Sequence, residues 1–296
     1  MERLKVEIPF ENSSDILKEM KQAYLACVPA VKYCKELGIS DKEIDDNITK
    51  IFDFVTDVNY CKKCPGIRNC NKPNPLLNSK VVYREGMVDI QLSPCKEILK
   101  RVSFEKRFRV RDFSDEILDL KLKDLDQSNG RKTALKKYTQ FIKLGINNWI
   151  YLTGTQNSGR SFFASVICVD AARQEKGPIY FLNAPKRIQE LYDLSKKNNA
   201  DFLAQIEKLS EAPVLVLDDF GNEYKNDYIR DAIVFPIISN RANKKLFTII
   251  TSDFSLQDIA TLYSTSKAGS IRANQIYKIM KAVCEEEINL GEIEVY

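Results

Sequence analysis

The sequence predicts an α/β fold: a parallel sheet flanked by helices and carrying a phosphate-binding loop, preceded by a small helical, cysteine-bearing N-terminal domain. Three observations predict it. Short runs rich in β-branched and aromatic residues (NNWIYLTG, GPIYFLN, APVLVLDD and LFTIITSD) alternate with helical stretches through the second half of the chain, the pattern of a sheet covered on both faces. GTQNSGRS, residues 154–161, stands between one such strand and a helix. Four cysteines fall between positions 61 and 95, ahead of the alternating part. The domains expected are 1–98, helical and metal-binding; 99–125, a basic linker and lead-in; and 126–296, the nucleotide domain.

The first elements follow from capping and breaking residues. Ser14 suits the cap of a helix that Pro29 interrupts and Gly38 ends. Ser40 opens a second, with Ile44, Ile48, Ile51 and Phe52 at helical spacing. VVYREGMVDIQL, residues 81–92, reads as a β-hairpin turning near Glu85-Gly86. INLGEIEVY, residues 288–296, is a possible last strand.

Composition narrows the function. With 296 residues, 44% of them hydrophobic, the chain can build one large or two modest domains. No apolar run approaches the ~18 residues of a spanning helix. MERLKVEIPFENSS has neither the basic start nor the apolar middle of a secretory signal. A cytoplasmic protein without membrane contact is expected. The chain has no histidine, which excludes Ser-His and Cys-His catalysis and any histidine-bearing zinc site. The net charge is only +4, but KRVSFEKRFRVR, residues 100–111, holds six basic residues and one acid. Interleaved with Phe104, Phe108 and Phe113, it has the pattern of a single-stranded DNA contact, though a charge run also suits a solvated face and the aromatics a core.

Cys61 and Cys64 form a C-x2-C knuckle, followed by Cys70 and then by Cys95 beyond the hairpin. Four thiolates in a reducing compartment suit a structural Zn²⁺, which would replace the core that so small a segment cannot build. Cys27 or Cys34 is an alternative ligand, and free thiols are the alternative to metal. Cys168 and Cys284, on apolar helical faces, read as core.

The nucleotide constellation has three parts. Gly154, Thr155, Gln156, Asn157, Ser158, Gly159, Arg160, Ser161 and Phe162 would wrap the phosphates of ATP or ADP with backbone N–H groups and a helix N-terminus, and Ser161 would hold Mg²⁺. VLVLDDFG ends a strand in two carboxylates, Asp218 on the metal side and Asp219 as candidate base. The next strand ends in Thr251, Ser252 and Asp253, any of which could touch the γ-phosphate or the attacking water.

At this level the chain resembles the bacterial helicase loaders of the DnaI type, relatives of DnaC and of the IstB transposition ATPases within the AAA+ superfamily. The resemblance is carried by CKKCPGIRNC with KVVYREGMVDIQLSPC, by VSFEKRFRVRDFSDEI, and by the block from VLVLDDFGNE to TIITSDF, with Arg230-Asp231 and Asn240-Arg241 inside it. It implies an AAA+ domain that binds nucleotide, self-assembles and contacts single-stranded DNA, and an N-terminal region that binds the replicative hexameric helicase, among other primosome proteins. Arg241 or Arg272 would be the finger to a neighbour's phosphate; a surface ion pair is the alternative. A non-catalytic adaptor and an IstB-like transposition regulator are the other functions that fit. The chain departs from the pattern where the loop lysine is Arg160, where the sensor position is Asp253 rather than asparagine, and in closing on GEIEVY without basic residues. A planar fork replacing a point charge displaces the γ-phosphate, and an added carboxylate weakens anion binding. Weak or absent hydrolysis is expected.

Overall fold

The computed structural model describes residues 13–125 and 128–291. The opening segment and the last five residues, for which the sequence suggests no signal and a strand continuing through GEIEVY, lie outside the described residues. The chain divides into two compact units, 1–102 and 103–296.

In the first unit, α1 (Ser13–Ala26) and α2 (Val28–Glu36) are separated at Cys27, with Pro29 in the first turn of α2. Ser14 therefore lies inside α1 rather than at its cap. Gly38, at φ +74°, turns the chain out of α2. Ser40 and Glu43 form a reciprocal capping box on α3 (Asp41–Asp46). The single helix that the isoleucine spacing suggests is broken at Asn47, and α4 (Ile48–Cys61) carries the chain to the first knuckle cysteine. β1 (Leu77–Arg84) and β2 (Met87–Pro94) pair antiparallel. Glu85 and Gly86 both have positive φ, as a two-residue turn matching the strand twist requires. One core unites Tyr24, Ala30, Ile44, Ile51 and Val55 with Val81 and Val88 of the hairpin. α5 (Lys96–Glu105) then leads into the second unit.

The second unit opens with β3 (Phe108–Arg111) and α6 (Asn129–Leu144). β4 (Ile150–Thr153), α7 (Arg160–Arg173), β5 (Ile179–Asn183), α8 (Ala184–Lys197), α9 (Asn199–Glu211) and β6 (Val214–Asp218) follow in alternation. A π-type stretch, Ile229–Val234, runs into α10 (Phe235–Asn243); widening of the ladder here fits Pro236, which has no N–H to continue it. β7 (Phe247–Thr251), α11 (Leu256–Tyr263), α12 (Lys267–Cys284) and β8 (Glu287–Asn289) complete the described chain.

The six strands lie in the order β3-β5-β6-β7-β4-β8, and every adjacent pair is parallel. Alternate strand residues feed two cores. Tyr151, Leu215, Leu217 and Ile250 join α8 to α12 on one face. Ile150, Leu152, Val214, Val216 and Ile249 pack against α6 and α7 on the other. Trp149, just before β4, is fully buried. Parallel strands covered on both faces leave their carboxyl ends as the open crevice where ligands bind.

One segment departs from expectation. Residues 108–111, expected in a linker, form the edge strand of this sheet, too short to show a period of its own. Phe104, Phe108 and Phe113 belong to the second core, with Phe113 edge-on to Phe181 at 5.0 Å. They are not free to stack on bases. Arg107 and Arg111 pair with Glu175 and Asp115.

Candidate functional site: a phosphate loop with a bridged arginine

The sheet order puts the tips of β4, β7 and β6 side by side. The loop leaving β4 alternates its backbone, with φ +151° at Gly154, +68° at Asn157 and +77° at Gly159. Such alternation turns successive N–H groups toward one concavity. A Cβ on Gly154 would lie 2.7 Å from the Ser158 hydroxyl, so the loop's first position excludes any side chain. The N-cap of α7 is Gly159, with no side-chain cap, and the first N–H groups of the helix remain available to an anion. Thr155, Gln156, Asn157 and Phe162 are exposed and Ser158 is buried.

At the tip of β6, Asp218 is nearly buried. It accepts a 2.6 Å bond from the Thr251 hydroxyl and interacts with the Ser161 hydroxyl. Ser161 and Asp218 thus sit together as a hydroxyl-carboxylate pair that fits Mg²⁺. Burial raises the pKa of Asp218 above the ordinary carboxylate value; the bonds from Thr251 and Ser161 oppose that rise. Asp219 has φ +57° and accepts a long 3.4 Å bond from the Asn183 amide at the tip of β5. Its pKa is also raised, by burial and then by the Asp253 charge.

Of the three polar residues ending β7, two are spent internally. The Thr251 hydroxyl accepts from the Asp219 N–H, and the Ser252 hydroxyl donates to the Phe220 carbonyl at 2.6 Å. Asp253 alone of the three is exposed, and its partner is Arg160. The Arg160 side chain, 7% exposed, donates through Nη1 to the carbonyls of Gly154 and Ser252, the latter at 2.6 Å, and through Nη2 to the Asp253 carboxylate. The Asn222 amide donates to the other carboxylate oxygen at 2.9 Å. Burial would raise the Asp253 pKa, but the bonds from Asn222 and Arg160 outweigh it and hold the carboxyl below its usual value. The two departures from the family pattern are therefore one ion pair. Asp253 does not act as an isolated charge, and Arg160 is not a free cation facing phosphate.

Neither finger candidate is equal to the other. Arg241 is fully buried and donates to the Leu209, Ala212 and Phe247 carbonyls and the Thr248 hydroxyl. It joins α9, α10 and β7 and cannot reach another subunit, which corrects its assignment as a finger. Arg272, partly exposed on α12, lies over the Phe235 ring at 4.0 Å and 3.6 Å from Asp231. Among residues that sequence reading missed, Arg131 of α6 bonds the Ser158 carbonyl of the loop at 2.8 Å. Asn183, Asn222 and Arg131 share no motif; the one signal available was Asn183 ending an apolar strand.

In the first unit Cys61, Cys64, Cys70 and Cys95 line a single cavity of about 610 Å³. Among the described residues no three His, Cys, Asp or Glu side chains are grouped closely enough to hold an ion. Cys61 bonds Asn78 at 3.6 Å, and Lys72, buried beside it, is 3.1 Å from Asp57. Cys27 and Cys34 are buried in the helical core and do not line the cavity, which removes them as ligand alternatives. Cys168 and Cys284 are fully buried, as expected.

The parallel sheet, the loop on β4 and the acid pair on β6 define a P-loop protein of AAA+-like fold. The chain belongs to the IstB-like ATP binding protein family, whose model matches residues 104–270. The replicative helicase loader DnaI of Bacillus subtilis (strain 168) is 22% identical over 281 residues, 90% of this chain and 88% of that protein. A crystal structure of DnaI superposes with a TM-score of 0.53 at 23% identity, covering 63% of this chain and 96% of its own, and supports the fold. Among the described residues no helix is long and apolar enough to cross a membrane.

Proposed function

We propose that this protein is a cytoplasmic replicative helicase loader, which binds the hexameric DNA helicase and helps place it on single-stranded DNA. The observation that supports it best is the likeness to a helicase loader over 90% of the chain, which takes in both units. Residues 1–98 take the helicase. The AAA+-like unit binds ATP or ADP through the loop amides and α7, with Ser161 and Asp218 as the ligands for Mg²⁺, which when bound neutralises phosphate charge. Asp219 is placed to orient water. Hydrolysis is slow or absent because Arg160 is held by Asp253. Lys106 and Arg109, both exposed, offer charge to a DNA backbone without the stacking aromatics. Arg272 is the remaining candidate for a contact with a neighbouring subunit. Cys61, Cys64, Cys70 and Cys95 hold a structural Zn²⁺ if their thiols close on one point of their shared cavity; thiolate chemistry and the common cavity support this reading.

A second reading, a non-catalytic adaptor bridging replication proteins, is favoured by the Arg160–Asp253 pair alone. A binding assay on the purified hexameric helicase with the full chain, run beside phosphate release, tests both. Helicase capture with single-stranded DNA occupancy supports loading. Capture with no release of phosphate and no nucleotide dependence supports the adaptor, and failure to capture the helicase refutes both.

A further inference from the structure

We propose that Arg160 and Asp253 act as one specificity device, which admits a nucleoside diphosphate to the loop and disfavours the triphosphate. The inference rests on the nucleotide reading above. A lysine at position 160 would carry a compact charge toward the β- and γ-phosphates. The arginine instead spans from the first loop carbonyl, at Gly154, to the tip of β7, and both of its terminal nitrogens are engaged by protein oxygens. An ionised fork bound to a carboxylate is a strong, geometrically fixed contact, and Asn222 holds the carboxylate from its other side.

The charges then fall unevenly along a bound nucleotide. The loop amides and the α7 N-terminus, which serve the inner phosphates, are untouched by the pair. The outer position meets Asp253, with Asp218 nearby at the tip of β6 and Asp219 just beyond it. Lys225, the cation that follows the β6 acids, is tied to the Gly221 and Glu223 carbonyls. A γ-phosphate thus gains no lysine and meets a cation already neutralised by Asp253, whereas a β-phosphate keeps its backbone donors. The pair is reciprocal. Arg160→Lys leaves Asp253 to hold the new ammonium, while Asp253→Asn frees the guanidinium to turn to phosphate.

Isothermal titration of the full chain with ADP and with ATP, in Mg²⁺, tests the device. Expected for the native chain is ADP bound at least ~10-fold more tightly than ATP, and for Asp253→Asn a ~10-fold gain confined to ATP, on the scale of one charge contact removed. Equal affinities in the native chain, or a gain shared equally by both nucleotides in the variant, would overturn it and leave the nucleotide reading standing. Failure of both nucleotides to bind either chain overturns both readings. Should Asp253→Asn not fold by circular dichroism, the double variant Arg160→Lys/Asp253→Asn carries the same expectation of an ATP-selective gain.

Discussion

At the scale of single residues, the second unit uses arginine in two opposite ways. Arg241 satisfies four buried acceptors, and its own burial pushes its pKa down. Removing the guanidinium strands those acceptors, each costing ~1–3 kcal/mol when buried and unpaired. Arg241→Ala should therefore destabilise the chain by ~3 kcal/mol or more, whereas Arg272→Ala, on an exposed ion pair, should stay within ~1 kcal/mol. Urea midpoints of the two variants give the comparison, and near-equal midpoints would contradict it. Asp218 makes a pH prediction with a definite sign. Burial holds its folded pKa above the ordinary aspartate value of the unfolded chain, so between the two values the folded state holds the extra proton. Its contribution to stability falls as pH rises through that window and stays lost above it. Asp218→Asn should be stabilised relative to the native chain more at pH 7 than at pH 4; the reverse order in urea denaturation would exclude burial as the dominant cause.

At the scale of elements, local chemistry made some boundaries legible and hid others. The Ser40–Glu43 box, the Glu85-Gly86 turn and the strands of the alternating half could be read because each depends on residues adjacent in sequence. Ser40→Ala should cost ~1 kcal/mol through the lost cap on α3, with the pairing of Glu43 to Tyr83, 2.6 Å away, also weakened once its carboxylate is no longer fixed. Unchanged melting of the variant would refute this. β3 was not legible, because four residues at a sheet edge acquire strand character from β5 rather than from their own pattern. The site divides in the same way. Loop and acids are contiguous motifs and could be found, but that Arg160 answers Asp253 depends on β4 and β7 being neighbours, which positions 93 residues apart do not announce. Read separately, the two changes suggested two independent defects; together they form one bridge.

At the scale of the whole molecule, the two units have different sources of stability. The second has two cores on the faces of a six-stranded sheet, while the cysteine end of the first surrounds a large cavity. If zinc fills that role, chelation of the full chain should speed amide exchange through residues 61–95 and leave the strands of the sheet protected. Exchange that is unaltered in the hairpin would argue against a metal, and equal loosening of β4–β7 would argue that the units unfold as one.

Trp149 bears on that measurement. It is the single tryptophan of the sequence, and it lies at the root of the strand that leads to the loop, with its indole N–H sealed from solvent. Its emission is consequently a natural optical label for one unit alone: blue-shifted while the sheet is intact, and silent on whatever happens around the cysteines, which tyrosines must report instead.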